Sequence, residues 1–416
     1  MSKCNRRHRA VSYWIASVAV FGCVSSVAYH AQTALLPDTI ALTRARVVAA
    51  PDAAPIDNAT VLIQDGRISA VDVTAAVSIP KEATVIDCQG LVVVAAFQNS
   101  HVHFTEEKWA NAGSQPASTL AAHLEAMLTR FGFTTVIDTA SLLPNTLDIR
   151  RRIETGDVPG PRILTAGLAL YPPDGIPYYV RDVVPAELIK LLPQPPTALR
   201  ATEIVRANLD AGADIVKLFT GSWVSRQQVV AMPVAVASAA VNEAHRRGRL
   251  VFNHPSNLAG LEVALDARVD VLAHAIDDAR GLKPAHLKRM KRQDVALVPT
   301  LQLLAADGRR EVLDQVRDYA RAGGQILFGT DVGYLSEYSP DREYELMDAA
   351  GLTWRQILAA LTTAPASRFG ESDRRGHVAR GLAADIVVLG TDPALGPRAF
   401  SDVRYTIRGG RIIYRR

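Results

Sequence analysis

Residues 91–103 read LVVVAAFQNSHVH, an apolar run that leads into two histidines. Because the run is continuous rather than alternating with polar residues, it predicts a strand buried on both faces, as in a parallel sheet. In an extended chain His101 and His103 point to the same side, so both imidazoles can reach one cation. A solvated pair of histidines would show the same spacing, so the pair alone is weak evidence for a metal site.

Seven further runs of this short, apolar kind follow the first one along the chain. They are residues 134–138, 162–166, 214–219, 250–253, 270–273, 296–300 and 325–329. Amphipathic helical patterns, such as residues 118–130, 202–211 and 234–247, lie between many of them. Eight alternating units in roughly 270 residues are typical of an α/β fold of the (β/α)8 TIM barrel kind, predicted here for residues 98–368.

The two ends of the chain have a different character, with short β-branched stretches and tight turn signals. At the start these stretches are residues 40–48, 59–63, 67–71 and 84–88, with a hairpin signal at Asp65-Gly66. At the other end they are residues 385–389, 403–407 and 411–414, with a turn at Gly409-Gly410. We expect residues 38–97 and 369–416 to form one small composite β-sandwich domain.

Lys217 lies inside the apolar run 214–219, where a charged amine is costly because both faces of the strand are buried. One interpretation is a lysine at the strand end that reaches solvent. The other is an amine kept neutral by burial, which can react with carbon dioxide. The resulting carbamate would be an anionic ligand able to bridge two metal ions.

Three more side chains of the metal-ligand type follow directly after predicted strands. They are His254, His274 and Asp331. The carboxyl ends of the strands are where barrel enzymes build their active sites, so the joint placement predicts a site there. Four further histidines lie away from strand ends and are interpreted as structural: His123, His245, His286 and His377.

The complete pattern resembles the binuclear branch of the amidohydrolase superfamily, above all its imidazolonepropionase-like and Xaa-Pro-dipeptidase-like members. The residues that carry the resemblance are His101, His103, Lys217, His254, His274 and Asp331, together with TAPA at 363–366 and GLAADIVV at 381–388. The sequence departs from the usual pattern at two positions that are not direct ligands. Ala95-Ala96 replaces the usual Pro-Gly, and Asn99 replaces the usual Asp two residues before the first histidine.

The resemblance implies two divalent metal ions and a hydrolytic reaction. His101, His103 and Asp331 would hold one ion, His254 and His274 the other, and carboxylated Lys217 and a hydroxide would bridge them. Imidazole and carboxylate ligands suit Zn2+, and Mn2+ or Fe2+ remain open. Asp331 is then the expected catalytic residue, carrying the proton while a C–N bond of an amide, cyclic amide or dipeptide-like substrate is cleaved.

Other functions remain open on the same scaffold. A lactone or a phosphotriester could be the substrate of the same binuclear site, and an inactive surface binding protein is a further alternative. A deaminase is disfavoured by the resemblance, because His254 is followed by Pro255-Ser256-Asn257 rather than by the H-x-x-E of those enzymes.

The loop at residues 171–181 is a candidate for binding the small-molecule substrate. Tyr178, Tyr179 and Arg181 could contact a carboxylate or an aromatic group. The alternative is a rigid, proline-rich loop that packs on its own aromatic residues. Trp109 and Trp223 also follow predicted ligand strands and could wall the pocket.

The first 28 residues have the layout of a secretory signal peptide. A basic stretch from Lys3 to Arg9 precedes an apolar run at 10–28 that ends in small residues. We therefore expect an exported protein, periplasmic or secreted. Membrane attachment remains open, through an uncleaved leader or through a lipidated Cys23 in the imperfect lipobox VFGC.

Composition indicates an ordinary globular enzyme rather than a nucleic-acid-binding protein. The chain has 416 residues, 48% hydrophobic and 21% charged, and a formal charge of +4. That excess is due to the leader, and no basic stripe suggests nucleic acid. Cys88 is the one cysteine beyond the leader, so no intrachain disulfide is expected. Homo-oligomerisation is left open.

Overall fold

The structure is a computed structural model that describes residues 39–182, 184, 186–305 and 308–416. The predicted signal peptide and Cys23 lie outside the described residues. Within the described part of the chain, no helix combines the length and the apolar character needed to span a membrane.

Strands and helices alternate through the middle of the chain, and strands dominate both ends. The strands are β1 (Ile40–Val48), β2 (Ile56–Gln64), β3 (Arg67–Val73), β4 (Thr84–Asp87), β5 (Val92–Ala95), β6 (Phe97–Val102), β7 (Phe133–Asp138), β8 (Arg162–Thr165), β9 (Val216–Phe219), β10 (Gly221–Ser225), β11 (Gln228–Ala231), β12 (Val251–His254), β13 (Val271–Leu272), β14 (Ala296–Leu297), β15 (Ile386–Leu389), β16 (Val403–Arg408) and β17 (Arg411–Arg415). The helices are α1 (Ala117–Met127), α2 (Leu143–Glu154), α3 (Tyr178–Arg181), α4 (Ala186–Ile189), α5 (Ala198–Asp210), α6 (Val234–Arg246), α7 (Leu258–Ala267), α8 (Pro284–Arg292), α9 (Leu301–Leu304), α10 (Arg310–Arg321), α11 (Asp341–Ala349), α12 (Trp354–Leu361) and α13 (Thr363–Arg368).

The two ends of the chain share one eight-stranded sheet, in which the strand order is β17-β16-β15-β5-β1-β2-β3 and β4 pairs with β1. The antiparallel pairing of β5 with β15 joins the two ends, with Val93 opposite Val388. Both predicted hairpin turns are confirmed. Asp65 and Gly66 have φ angles of 52° and 72°, and Gly409 and Gly410 have 53° and 76°. A two-residue turn with both φ angles positive matches the twist of the strands that it joins.

The middle of the chain contains two parallel sheets, β6-β7-β8 and β14-β13-β12-β9. Every residue of β6, β7 and β9 is buried, as the continuous apolar runs predict. Isolated backbone bridges extend beyond the sheets, from Leu170 to Leu218, from Leu297 to Ile326 and from Val102 to Val332. The predicted strand at 325–329 therefore contributes a bridge rather than a strand.

The prediction of one strand across the apolar run at residues 91–97 is wrong. Residues Val92–Ala95 form β5 in the sheet shared by the chain ends, and β6 begins only at Phe97. The chain changes partner at Ala96, whose amide donates to the Asp385 carbonyl at 2.9 Å, while the Phe97 amide donates to Gly132 at 3.1 Å. The apolar run is continuous through this change because both sheets are buried there, so the sequence carries no mark of the boundary.

Gly333 lies where the residues after Asp331 pass close to the end of β6. Its φ is +95°, and a Cβ at this position would lie 1.9 Å from the carbonyl oxygen of His103. Gly381 has a similar φ of +90° but has no atom within 4 Å of such a Cβ. Alanine substitutions at the two positions therefore distinguish the cost of backbone strain, which both share, from the cost of a steric clash, which only Gly333 has.

We expect Gly381→Ala to lower the free energy of unfolding by about 1–2 kcal/mol, the cost of a left-handed alanine. Gly333→Ala should cost about 1–3 kcal/mol more, because a Cβ cannot coexist with the His103 carbonyl. Chemical denaturation of both variants measures the difference. Equal losses would show that the backbone at 333 relaxes freely.

Candidate metal centre

The six predicted ligand residues converge at the carboxyl ends of the parallel strands. His101 lies in β6 with His103 just after it, and Lys217 lies in β9. The other three follow or end their segments: His254 ends β12, His274 follows β13, and Asp331 follows residues 325–330. His101 is fully buried, and Lys217 and Asp331 are 2% and 3% exposed.

His101, His103 and Asp331 form the tightest part of this group. The Nε2 atoms of the two histidines lie 3.2 Å apart. The Oδ1 atom of Asp331 lies 3.1 Å from Nε2 of His101 and 2.8 Å from Nε2 of His103. Although burial raises the pKa of Asp331, His101 and His103 hold it well below its usual range, so the side chain is a carboxylate.

The hydrogen-bond partner of Nδ1 in each of these two histidines indicates which ring nitrogen bears the hydrogen. The Nδ1 atom of His101 lies 2.7 Å from the Ala273 carbonyl oxygen, and Nδ1 of His103 lies 2.8 Å from that of Ala140. A carbonyl can only accept, so both Nδ1 atoms donate and both Nε2 atoms are left facing Asp331. Such a set of acceptors needs a proton or a metal ion between them.

His254 and His274 extend the group on the other side of His101. The ring of His274 is centred 4.5 Å from that of His101 and 4.4 Å from that of His254. Ligand atoms of His101, His274 and Asp331 all lie within 4.8 Å of one another. The Nδ1 atom of His254 is buried without a hydrogen-bond partner among the described residues. A buried ring nitrogen with no partner fits the role of a metal ligand.

Lys217 is the least expected side chain of the group. Its amine makes no hydrogen bond or ion pair with any described residue, and burial lowers its pKa to about 7. Burial thus favours the neutral amine, which is the form that reacts with carbon dioxide. The ring centroid of Phe219 lies 5.6 Å from Nζ, and this ring stacks on His254.

Backbone hydrogen bonds hold Asp331 beside the two histidines of β6. The amide of Asp331 donates to the His101 carbonyl at 2.9 Å, and the amide of His103 donates to Val332 at 2.8 Å. Asn99 connects the same two segments. Its Nδ2 donates to Thr330 Oγ1 at 2.8 Å, and its Oδ1 accepts from the His101 amide at 3.2 Å. A neutral amide thus orients this pair of segments.

The predicted substrate residues form the one-turn helix α3 rather than a loop. Burial raises the pKa of Tyr179 well above its usual range, and the negative charge of Asp331 adds to this, which places Tyr179 near the centre. Its ring lies 5.4 Å from that of Tyr178 and 6.0 Å from that of Tyr334. Arg181 is exposed and donates to the Val224 carbonyl at 2.5 Å, so it contacts the hairpin β10–β11.

Sequence reasoning did not single out Tyr334, which follows Asp331 by three residues and is 46% exposed. Its position after the segment that carries Asp331 was the available signal. Trp109 is fully buried against Phe104, 5.0 Å away between ring centroids, and its place in the pocket wall stays a prediction. Trp223 is half-buried.

Comparisons with known proteins agree with this architecture. The sequence profile of the amidohydrolase family matches residues 92–413. A search of curated protein sequences found no significant match. Among solved structures, a prolidase-like protein from Bifidobacterium longum is 27% identical, with a TM-score of 0.76 over 91% of this chain and 95% of its own.

Two further solved structures share the fold at lower identity. A prolidase complexed with N-methylphosphonate-L-proline is 23% identical, with a TM-score of 0.75 over 91% of this chain and all of its own. A Xaa-Pro dipeptidase with bound methionine in the active site is 19% identical, with a TM-score of 0.76 over 91% and 100%. Because the family profile covers most of its length, the chain belongs to the amidohydrolase family and is a hydrolase acting on carbon–nitrogen bonds.

Proposed function

We propose that this chain is an exported, metal-dependent hydrolase that cleaves the C–N bond of an amide, cyclic amide or dipeptide-like substrate. One observation carries the proposal. Nε2 of His101, Nε2 of His103 and Oδ1 of Asp331 lie within 3.2 Å of one another, with the Nδ1 hydrogens directed away. This is a preformed cation site, and it is extended by the buried amine of Lys217 and by Nδ1 of His254, which has no partner among the described residues.

The residues present fit two divalent ions. His101, His103 and Asp331 would hold one ion, His254 and His274 the second, and carboxylated Lys217 would bridge them. Imidazole and carboxylate suit Zn2+, with Mn2+ or Fe2+ as alternatives. Bound there, the ions would lower the pKa of water and polarise the scissile carbonyl.

Asp331 is the residue that moves the proton. Its carboxylate is ionised and lies at the centre of the ligand group. It would take a proton from the attacking water and deliver it to the leaving nitrogen, so that the amine departs neutral.

Architecture supports the same proposal. We suggest that the bridges between the parallel sheets close a (β/α)8 barrel over residues 98–368, flanked by a composite β-sandwich from residues 38–97 and 369–416. One separate hydrophobic cluster takes residues from successive parallel segments, as the interior of a barrel does. Its buried members are Ile137, Leu164, Ala166, Ile215, Phe252, Val271, Ala273, Ala296, Val298 and Leu327.

Substrate binding is assigned to the aromatic group beside Asp331. Tyr178 and Tyr179 of α3 and Tyr334 would contact the part of the substrate that does not react. Arg226 stacks over the ring of Tyr178 at 5.6 Å, and Arg181 lies on the same helix. Two arginines beside tyrosines favour a small molecule with a carboxylate, as in the dipeptide-like class.

We expect about two transition-metal ions per chain after expression with sufficient metal, because six side chains offer ligands. Elemental analysis of the purified mature protein measures the content, with Lys217→Ala as the matched variant that removes the bridge. One ion or fewer in the wild type would refute the binuclear site, and Lys217 would then be an ordinary buried lysine.

The activity is tested on a panel of N-acyl amino acids, dipeptides and cyclic amides, with lactones and phosphotriesters as the competing classes. We expect the largest kcat/KM among the C–N substrates. A preference for lactones or phosphotriesters would assign the same site to ester chemistry. A fully metal-loaded protein that turns over no member of the panel would favour a binding protein.

Asp331→Asn should lower kcat by ~100- to 10,000-fold on the best substrate of the panel, because asparagine cannot accept a proton at neutral pH. The carboxamide keeps the size and one ligand oxygen, so the fold and part of the metal content should remain. Circular dichroism and metal analysis of the variant serve as controls. A variant that retains more than a tenth of wild-type kcat would exclude Asp331 as the proton carrier.

Export is proposed from the leader, and it predicts the mature N-terminus. We expect protein from the native host to start near residue 29, or at a lipidated Cys23, outside the cytoplasm. N-terminal mass spectrometry of the fractionated cell distinguishes these outcomes. Soluble cytoplasmic protein with an intact Met1 would contradict export.

A further inference from the structure

Thr300 has a backbone conformation that a β-branched residue rarely adopts. It follows β14 and precedes the short helix α9, and its φ and ψ angles are 46° and 52°, in the left-handed region. Such a residue is strained, typically by about 1–3 kcal/mol, and persists only where its surroundings enforce it. Thr300 is fully buried, so solvent does not stabilise this conformation.

The Thr300 hydroxyl does not perform the usual task of a threonine before a helix. A threonine at that position normally has an extended backbone, and its oxygen accepts from an amide of the first turn. Here no such side-chain bond forms. Instead Oγ1 lies 2.8 Å from the Pro299 carbonyl oxygen and 2.8 Å from Nδ1 of His274. The left-handed backbone has turned the hydroxyl away from the helix and toward the candidate ligand.

Glu343 takes over the capping of α9. Its side chain comes from the first turn of α11, and its two oxygens accept from the amides of Leu301 and Gln302 at 2.9 Å and 2.6 Å. Glu343 is fully buried, so these two bonds replace the water that the carboxyl group has lost. They fix the two amides that follow Thr300 and so hold the strained turn in place.

The direction of the Thr300 O–H bond determines which nitrogen of His274 bears the hydrogen. The Pro299 carbonyl can only accept, so the hydroxyl donates to it and offers a lone pair to His274. His274 must then donate from Nδ1, which leaves the lone pair on Nε2. His101 and His103 reach the same state through backbone carbonyls.

We propose that Glu343 and Thr300 are positioning residues, which together hold His274 as the Nδ1–H tautomer with Nε2 free to bind the second metal ion. The inference rests on the proposed metal site, but the tautomer is a property of the metal-free protein. Neither residue touches the substrate or the reacting atoms. The effect passes from Glu343 through the backbone of Leu301 and Gln302 to Thr300, and from its hydroxyl to the imidazole.

The test compares Thr300→Val, which keeps the β-branched shape without the hydroxyl, with Thr300→Ser, which keeps the hydroxyl. Two readouts are used: the 15N NMR signals of His274 in metal-free protein, assigned with His274→Gln, and the affinity for Co2+ by chelator competition. Thr300→Val should show a mixture of tautomers and a loss of ~10- to 100-fold in affinity for Co2+. Thr300→Ser should restore the wild-type values of both.

A matched pair of variants tests Glu343 separately from stability. Glu343→Gln keeps the size but can accept only one of the two amides. Thr353→Ala removes the side-chain cap of α12, where Thr353 accepts from the Gln356 amide. Both variants should lower the melting temperature. Only Glu343→Gln should also shift the His274 tautomer and weaken Co2+ binding by at least tenfold.

The outcomes separate this inference from the proposed function. Wild-type protein that binds Co2+, with Thr300→Val or Glu343→Gln unchanged in tautomer and within twofold in affinity, overturns the positioning roles and leaves the metal site intact. Wild-type protein that binds no Co2+ overturns the metal site. In that case a shifted tautomer in Thr300→Val still supports the hydrogen-bond relay, and an unshifted one overturns it.

Discussion

Two ring nitrogens and one carboxylate oxygen lie within 3.2 Å of one another in a buried pocket. Lone pairs this close repel each other unless a positive charge lies between them, and burial removes the water that would otherwise screen them. The carbonyls of Ala273 and Ala140 impose the arrangement by engaging the Nδ1 hydrogens of His101 and His103. The need for a proton or a metal ion between these three atoms is therefore set by the backbone behind the two histidines as much as by the side chains themselves.

Parallel strands bring these atoms together, and the close approach has a steric requirement. A Cβ on Gly329 would lie 2.3 Å from Val298 Cγ1 and 2.9 Å from His101 Cβ. The segment before Asp331 can therefore pass this close to β6 only because residue 329 is glycine. Asp331 and Thr300 both have positive φ angles, of 61° and 46°. A left-handed backbone at both of these residues is strained, and such strain persists where the surrounding fold holds the backbone and so sets the direction of the side chain.

The sequence predicted the candidate ligand residues because His254, His274 and Asp331 follow apolar runs, the pair His101 and His103 follows another, and Lys217 is a charged residue inside a fifth. It could not predict Glu343, which lies 42 residues from Leu301 and acts through contacts made only in the folded chain. It likewise missed the hairpin β10–β11, since a two-stranded ribbon of mixed polarity has no distinct period. The division of residues 91–97 between two sheets was hidden because both sheets are buried.

The charges around the centre bear on the role of Lys217. Asp138 is a second buried carboxyl group near His103, and burial raises its pKa. Its oxygens accept from the hydroxyls of Ser141, Thr165 and Thr146 at 2.6, 2.7 and 3.1 Å, so its lone pairs are already engaged.

Glu343 is engaged in the same way by two amides, and Asn99 brings no charge. Among the described residues, Asp331 is then the one carboxylate that contacts the ligand histidines. A single negative charge leaves two divalent ions poorly neutralised in a buried site. The proposed pair of ions therefore needs a second anionic ligand, and the buried amine of Lys217, converted to a carbamate, can supply it.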